Sequence, residues 1–492
     1  MEPHTIPVPA EAGASPGPER LVPGPAPSAP HLQAPPASLP ASLLERLIGR
    51  PAATWTAEDL LALAIERGVR LVSLMHVGGD GWLKALDFVP QSREHLRDIL
   101  SGGERADGSS LFPELGLPVG ASDILLRPRP ASAFLDPFAE VPTLVLLCGH
   151  ADRTGTPLPQ SPDTIARRAS ERVRQETGVA IHALGEVEYF LGRRAGESDV
   201  YGTGDRGYHA TSPFVFGEPL RRRAMAILAE MGVPVKYGHS EVGYVEASET
   251  DGEIWEQHEI ELGLAPLPEA ADGVALTHWV LRNLAHRQGM RCSFDPILRR
   301  GHAGTGLHFH LSPVKDGLHL GGRGPDGSLS REAEWLIAGL VRFGGALMAF
   351  GNRTEGSLIR LTQAKEAPNA IVWGDYDRSA LVRLPIVASN AEGRLVSPPT
   401  IEFRLPDGSA HPHLLLAGVA QAMVSARASG DVAELLVHTS TAALKRGERI
   451  PTPVPTRFLE VAAALSVQRA TFEAGGVFPP VLMDQVIARL SA

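Results

Sequence analysis

The chain has 492 residues, 43% apolar and 21% charged, an ordinary soluble composition with length enough for two or more domains. Lys plus Arg number 46 against 56 Asp plus Glu, and the net charge of −10 argues against a general nucleic-acid binder, which needs a basic surface. Cys148 and Cys292 cannot build a disulfide framework, no run approaches the roughly 20 apolar residues of a membrane helix, and the start Met1-Glu2-Pro3-His4 is not that of a signal peptide. These features predict a soluble cytoplasmic protein with neither nucleic acid nor membrane as partner.

Residues 1–41 are rich in Pro and Ala without apolar periodicity, the composition of a disordered tail. Thr56-Ala57-Glu58-Asp59 then reads as a capping box that opens a helix through Leu60, Leu61, Leu63 and Ile65, stopped at Gly68. Runs at 69–77 and 82–89 around Gly78-Gly79-Asp80-Gly81 predict a hairpin, and 122–128 and 143–148 predict further strands. Residues 42–150 thus form one small mixed domain.

In the second region, 151–492, Ser161-Pro162-Asp163 predicts a helix start with Ser as cap, and Gly178 a stop. Helical patterns recur at 217–232, 271–289, 331–350 and 411–429, without the regular alternation of a parallel sheet. Gly202-Thr203-Gly204-Asp205-Arg206-Gly207 matches G-x-G-x-x-G but does not sit between a strand and a helix, so it reads as an ordinary loop.

The informative pattern is one spacing that recurs. Glu186-Val187-Glu188, His308-Phe309-His310 and Glu402-Phe403-Arg404 each place two ionisable residues around one apolar residue. On a strand, residues i and i+2 share a face, about 6.6 Å apart, and the residue between faces the other way. Taken alone, Glu186/Glu188 fits a solvated strand face, and His308/His310 fits a core pair or the H-x-H of a zinc hydrolase. The apolar flanks favour a sheet with one charged face lining a cavity. Carboxylates gathered there need a cation, and mostly oxygen donors with one imidazole suit Mg²⁺ or Mn²⁺ better than Zn²⁺. Glu241 and Glu259 are candidates to join them, although the polar stretch 246–253 between them leaves surface acids as an equal reading.

The order of motifs resembles the glutamine synthetase family over almost the whole chain after about residue 65, as a divergent bacterial-type member. Ala106-Asp107-Gly108-Ser109-Ser110 and Ser122-Asp123 resemble its DGSS and SD elements, Glu186-Val187-Glu188 its E-x-E strand, and Gly207-Tyr208 its GGY loop. His239-Ser240-Glu241-Val242 and Gln257-His258-Glu259-Ile260 resemble HHEV and GQ-x-E. Gly304-Thr305-Gly306-Leu307-His308-Phe309-His310 resembles G-x-G-M-H-x-H. Arg360, Glu366-Ala367-Pro368, the run from Asp377 through Arg378 to Arg383, and Ile401-Glu402-Phe403-Arg404 complete the series.

The resemblance implies an α+β fold: an N-terminal β-grasp domain (42–150) and a catalytic domain (151–492) built on a curved antiparallel sheet flanked by helices. It implies self-association into rings whose active sites are shared between subunits, with Asp107 serving the neighbour's site. Two or three Mg²⁺ or Mn²⁺ are implied, one held by Glu188, Glu241 and Glu259, another by Glu186, His308 and Glu402. By the same resemblance Gly304, His310, Arg360 and Arg404 handle the substrate, Arg378 and Arg383 the phosphates of ATP, and Asp107, Tyr208 and Glu366 the ammonium pocket and its flap. The implied reaction is an ATP-dependent ligation of glutamate and ammonia to glutamine through a γ-glutamyl phosphate.

Some positions depart from the family pattern. Ala303 stands for a usual Asn, Lys236 for a usual acid near the nucleotide, Ser240 for the second His of HHEV, and Ser397-Pro398-Pro399-Thr400 for basic residues facing ATP. A free cation at Lys236 is one way the positive charge could be restored. These departures leave room for a ligase joining glutamate or another acid to an organic amine, and for a catalytically weak, ring-forming regulatory homologue.

Overall fold

The computed structural model describes residues 42–112, 122–196, 207–248, 252–324, 326–363, 367–447 and 450–492. The tail reading of residues 1–41 lies outside the described residues, as does most of the 202–207 loop.

Helix α1 (Leu43–Ile48) leads to α2 (Ala57–Glu66), and the capping box forms as expected, with Asp59 N bonded to Thr56 Oγ1 and Thr56 N to Asp59 Oδ2. The expected hairpin is β1 (Leu71–Val77) and β2 (Leu83–Phe88), with Val77 opposite Leu83. Next come α3 (Arg93–Gly102), β3 (Glu104–Asp107), α4 (Gly108–Leu111), β4 (Asp123–Pro128), β5 (Phe134–Leu135) and β6 (Thr143–Ala151). The strands form a six-stranded sheet ordered β2-β1-β6-β4-β3, with β5 beside β6. The sequence reading has no counterpart for α3 or β3. The helix buries only Leu96, Ile99 and Leu100, and the Glu-Arg-Ala-Asp of β3 becomes a strand only by pairing with β4.

Helix α5 (Pro162–Thr177) starts and stops where expected, but Ser161 does not cap it with its hydroxyl. That hydroxyl is 2.8 Å from His150 Nδ1, so the buried imidazole has taken the cap's hydrogen bond. A second sheet follows, built from β7 (Ala180–Arg194), β8 (Val235–Val245), β9 (Glu253–Leu262), β10 (Ala265–Pro266), β11 (Arg291–Ser293), β12 (Leu307–Lys315), β13 (Leu318–His319), β14 (Trp373–Asp375), β15 (Val382–Leu384) and β16 (Ile401–Phe403). Its main order is β14-β15-β16-β12-β7-β9-β8, antiparallel except for β14 with β15. Between these strands run α6 (Glu218–Glu230), α7 (Leu267–Arg287), α8 (Arg331–Gly351) and α9 (Glu355–Gln363), and α10 (Pro412–Ala428) follows them. The fold is therefore α+β, a curled sheet backed by helices.

Helix α10 is buried nearly all round and packs on α5, α7 and α8, as a helix apolar on every face must. Contrary to the expectation that no run is long enough, α8 has the length and apolar composition to cross a membrane, but most of it is buried in this core. Asp272 of α7 ties several elements together: it accepts from Arg129, just past β4, at 2.7 Å and lies 3.0 Å from His413 Nε2 of α10.

His76 of β1 and His150 of β6 meet ring to ring, Nδ1 to Nε2 at 3.0 Å. Burial pushes His76 down to about 4 and His150 down to about 3, so both are neutral in the folded chain at pH 7. Between the unfolded value of 6.5 and those folded values the unfolded chain binds protons that the folded chain refuses. Stability should therefore fall as pH drops through that window, by on the order of 2 kcal/mol per ring by pH 5. Urea unfolding at pH 7.5 and 5 should show a smaller difference in a His76→Gln/His150→Gln variant than in the native chain. Equal differences would remove the pair from the account.

Candidate active site

The recurring i, i+2 pairs fall on adjacent strands, and the register gathers them. Glu186 lies opposite His308 on one side and Glu261 on the other, Glu188 opposite Glu259, Glu259 opposite His239, and Glu402 opposite both His310 and Arg383. The residues between, Val187, Phe309 and Phe403, are fully buried on the helix side. One face of the sheet is thereby apolar and the other ionic.

The ionic face lines a cavity of about 380 Å³ that holds five carboxylates, of Glu186, Glu188, Glu241, Glu259 and Glu402, and four guanidiniums, of Arg360, Arg378, Arg383 and Arg404. The surface-acid reading of Glu241 and Glu259 does not hold, because β8 and β9 carry both to the cavity wall and Glu259 is only 6% exposed. Tyr208, Ala303, Gly304 and His308 line the same cavity. His310 reaches Glu186 Oε1 at 2.9 Å and Thr400 Oγ1 at 2.7 Å, so one residue of the divergent 397–400 segment orients this imidazole. Arg360 donates to the carbonyl of Leu405 at 3.0 Å and lies 3.3 Å from His308 Nε2. Arg404 donates to Glu402 at 2.5 Å, and Arg383 lies 3.0 Å from the other oxygen of that carboxylate. A Cβ at Gly306 would come within 2.6 Å of His308 Nε2 and 2.9 Å of Glu188 Oε1, so glycine there lets both side chains keep their places in the site.

Among the described residues, three groups of donors lie close enough to share an ion: Glu186, His308 and Glu402; His239, Glu241 and Glu259; and Glu186, Glu261 and His310. The first is the set expected from the sequence. In the second, His239 takes the place expected for Glu188, whose Oε2 instead accepts from Gln257 Nε2 at 2.9 Å and Gly306 N at 2.8 Å. The third contains Glu261, which sequence reasoning missed although Glu259-Ile260-Glu261 repeats the i, i+2 spacing a fourth time. Burial, then the charges of Glu186, Glu188, Glu241 and Glu261, push Glu259 well above the usual carboxylate range. Burial works the same way on Glu186, but His310 and His308 outweigh it and hold that carboxyl low. A crowded oxygen donor set with few imidazoles fits hard divalent cations.

Two departures find physical roles. The Ser240 hydroxyl lies 2.8 and 2.7 Å from the carbonyls of Gly207 and Ala210, clipping the Tyr208 loop to β8. Tyr208 itself hydrogen-bonds Arg378 and stacks on His209, with ring centres 4.3 Å apart. Lys236 is not the free cation anticipated. Its ammonium donates to Glu261 Oε1 at 2.7 Å, after a register shift between Val235 and Tyr237. Asp107 is exposed on the other sheet and outside this cavity, accepting from Ser109 N and from the Ser109 and Ser110 hydroxyls, which hold its carboxyl at about 2. Glu366 lies outside the described residues.

With this geometry in view, comparison with known proteins decides the family. Residues 159–465 match the glutamine synthetase catalytic domain. The chain belongs to the glutamine synthetase family. It is 30% identical to the glutamine synthetase of Vibrio cholerae over 88% of this chain and 95% of that one, and 28% identical to that of Salmonella typhimurium over the same shares. Its fold is similar to Plasmodium falciparum glutamine synthetase (TM-score 0.73, 20% identity, 89% of this chain and 95% of that one). It is also similar to GmaS in complex with ADP (TM-score 0.67, 22% identity, 87% and 94%). The chain is accordingly a ligase that forms a C–N bond, in a family that uses ATP and divalent metals.

Two outcomes follow from the electrostatics. Mn²⁺ should raise the melting temperature by several degrees, equivalent to about 2.7 kcal/mol at a hundredfold excess over Kd, and EDTA should reverse the rise. No shift with either Mn²⁺ or Mg²⁺ would count against a divalent site. Lys236→Met strands the buried Glu261 carboxylate, so it should cost about 1–2 kcal/mol, a figure kept modest because Lys236 is partly exposed. Adding Glu261→Gln should recover most of that loss in urea unfolding, and simple additivity of the two losses would show that the pair is not coupled.

Proposed function

We propose that this ligase makes glutamine: ATP phosphorylates the side-chain carboxylate of glutamate, and ammonia displaces phosphate from the resulting γ-glutamyl phosphate. The observation that carries the reading is the convergence of carboxylates, imidazoles and four guanidiniums from adjacent strands on one cavity. A carboxylate is a poor electrophile until phosphorylated, and phosphoryl transfer is mainly positioning and charge neutralisation. Glu186, His308 and Glu402 would hold one Mg²⁺ or Mn²⁺, and Glu241 and Glu259, with Glu188 or His239, a second. Bound metal supplies charge neutralisation for the phosphates of ATP.

The protein's own groups do the rest. Arg378 and Arg383 would contact the transferring phosphoryl group, while Arg360, Arg404, His310 and the backbone at Gly304 orient the amino acid. Tyr208, and in an assembled ring Asp107 of a neighbouring subunit together with Glu366, would close over the ammonium, take its proton and exclude water. In this reading residues 42–150 form the β-grasp-like domain that presents Asp107, residues 151–492 form the catalytic domain, and the chain works in the cytoplasm as a ring.

A specific observation keeps a second reading in play. Ala303 lines the cavity with a methyl group where the family resemblance leads one to expect an amide, which leaves a different acid or an organic amine room to bind. Phosphate release from ATP with Mg²⁺ or Mn²⁺ and glutamate separates the readings. Turnover with ammonia at least tenfold above that with methylamine, ethylamine or ethanolamine is the expected outcome. Turnover with an organic amine alone would replace it by γ-glutamyl-amine synthesis. Silence with every acid and amine pair, with metal still bound, would favour the catalytically weak homologue.

A further inference from the structure

A second cavity, of about 730 Å³, lies away from the ionic sheet face, between the β1–β2 turn and helix α7. Its walls include Trp82 of the turn, His278 and Arg282 of α7, and Phe294 just past β11. Trp82 is 57% exposed, so its ring is open to a ligand entering the cavity. The Arg282 guanidinium stands over the Trp82 ring at 4.5 Å and over Phe294 at 4.9 Å. Among the described residues no carboxylate comes within ion-pair distance of it, so aromatic faces rather than an anion hold this partly buried cation in place. The His278 ring lies tilted against Phe294, with ring centres 3.9 Å apart, and helps hold that wall of the cavity.

We infer that this cavity binds a small monoanionic aromatic carboxylate, its carboxylate on Arg282 and its ring among Trp82, Trp279 and Phe294. A guanidinium is a planar fork of donors that matches a carboxylate bidentately. Charge balance selects a monoanion. Arg282, Arg353 and Arg489 line the cavity together with Asp80 and Asp295, so the wall carries a surplus of only one positive charge. The volume falls in the range that small-molecule sites occupy. One hydrogen bond links the cavity to the loop of the candidate active site. The carbonyl of Pro296, which lines this cavity, accepts from Thr305 N at 2.9 Å and so braces the loop that carries Ala303 and Gly304.

Isothermal titration of the full-length assembled protein with 1-naphthoate, its neutral amide 1-naphthamide and the dianion phenyl phosphate tests the assignment. Naphthoate should bind saturably, the amide and the dianion at least tenfold more weakly, and Arg282→Gln should weaken naphthoate by at least tenfold. Trp82→Ala, a change at an exposed ring, should weaken it several-fold and carries the test if the Arg282 variant does not fold. Three results would overturn the inference: no saturable binding to the native protein, equal binding by both variants, or binding abolished by saturating ATP and glutamate, which would put the ligand in the active-site cavity.

Discussion

Six glutamates, at positions 186, 188, 241, 259, 261 and 402, sit on one face of one sheet, and the rest of this structure follows from the need to live with them. Like charges at this density cannot all ionise in a low-dielectric cavity unless opposite charge is supplied. The protein meets that demand in three ways. Fixed guanidiniums stand beside Glu402, imidazoles bracket Glu186, and the ammonium of Lys236 takes Glu261. What remains uncompensated centres on Glu259, whose proton affinity is raised by its neighbours. A group that holds a proton for want of a cation is one that a divalent ion can displace. The unrelieved charge therefore marks where metal is wanted.

The helical side of the sheet makes this tension bearable. Val187, Phe309 and Phe403 alternate with the charged residues and are fully buried against helices that are themselves apolar on most faces. Behind β9 a hydrogen-bonded network does the same with polar groups. His258 joins Glu256 and Arg221 at 2.7 Å each, and Glu256 also accepts from Phe216 N. A buried polar network of this kind is tolerable only when its members are paired, and here it fixes the strand whose other face bears Glu259 and Glu261.

Legibility in the sequence followed one rule: what depends on strand alternation could be read, and what depends on the neighbour across the sheet could not. Glu186/Glu188, His308/His310 and Glu402/Arg404 are visible because each pair is spaced by two between apolar residues. Glu261 shows the same spacing and was missed, because the segment before it reads as polar loop until β8 is seen paired along β9. Lys236 looks like a spare cation in one dimension, and only the register shift before Tyr237 turns it toward Glu261. Ser161 has the identity of a helix cap, yet a histidine eleven residues earlier claims its hydroxyl. The polar strand β3 owes its existence to β4, and no local propensity announces it.

The departures from the family pattern take on a different meaning in this light. Ser240 and Thr400 are not vacancies left by lost basic groups. One pins the Tyr208 loop to β8, and the other sets the ring orientation of His310. The charge at position 236 is opposite in sign to the family expectation, and in this chain it is spent on Glu261. Of the four departures Ala303 is the one that places a methyl group on the cavity wall. Ala303 is thus the departure that changes the cavity wall itself, while the four guanidiniums of Arg360, Arg378, Arg383 and Arg404 all still line it.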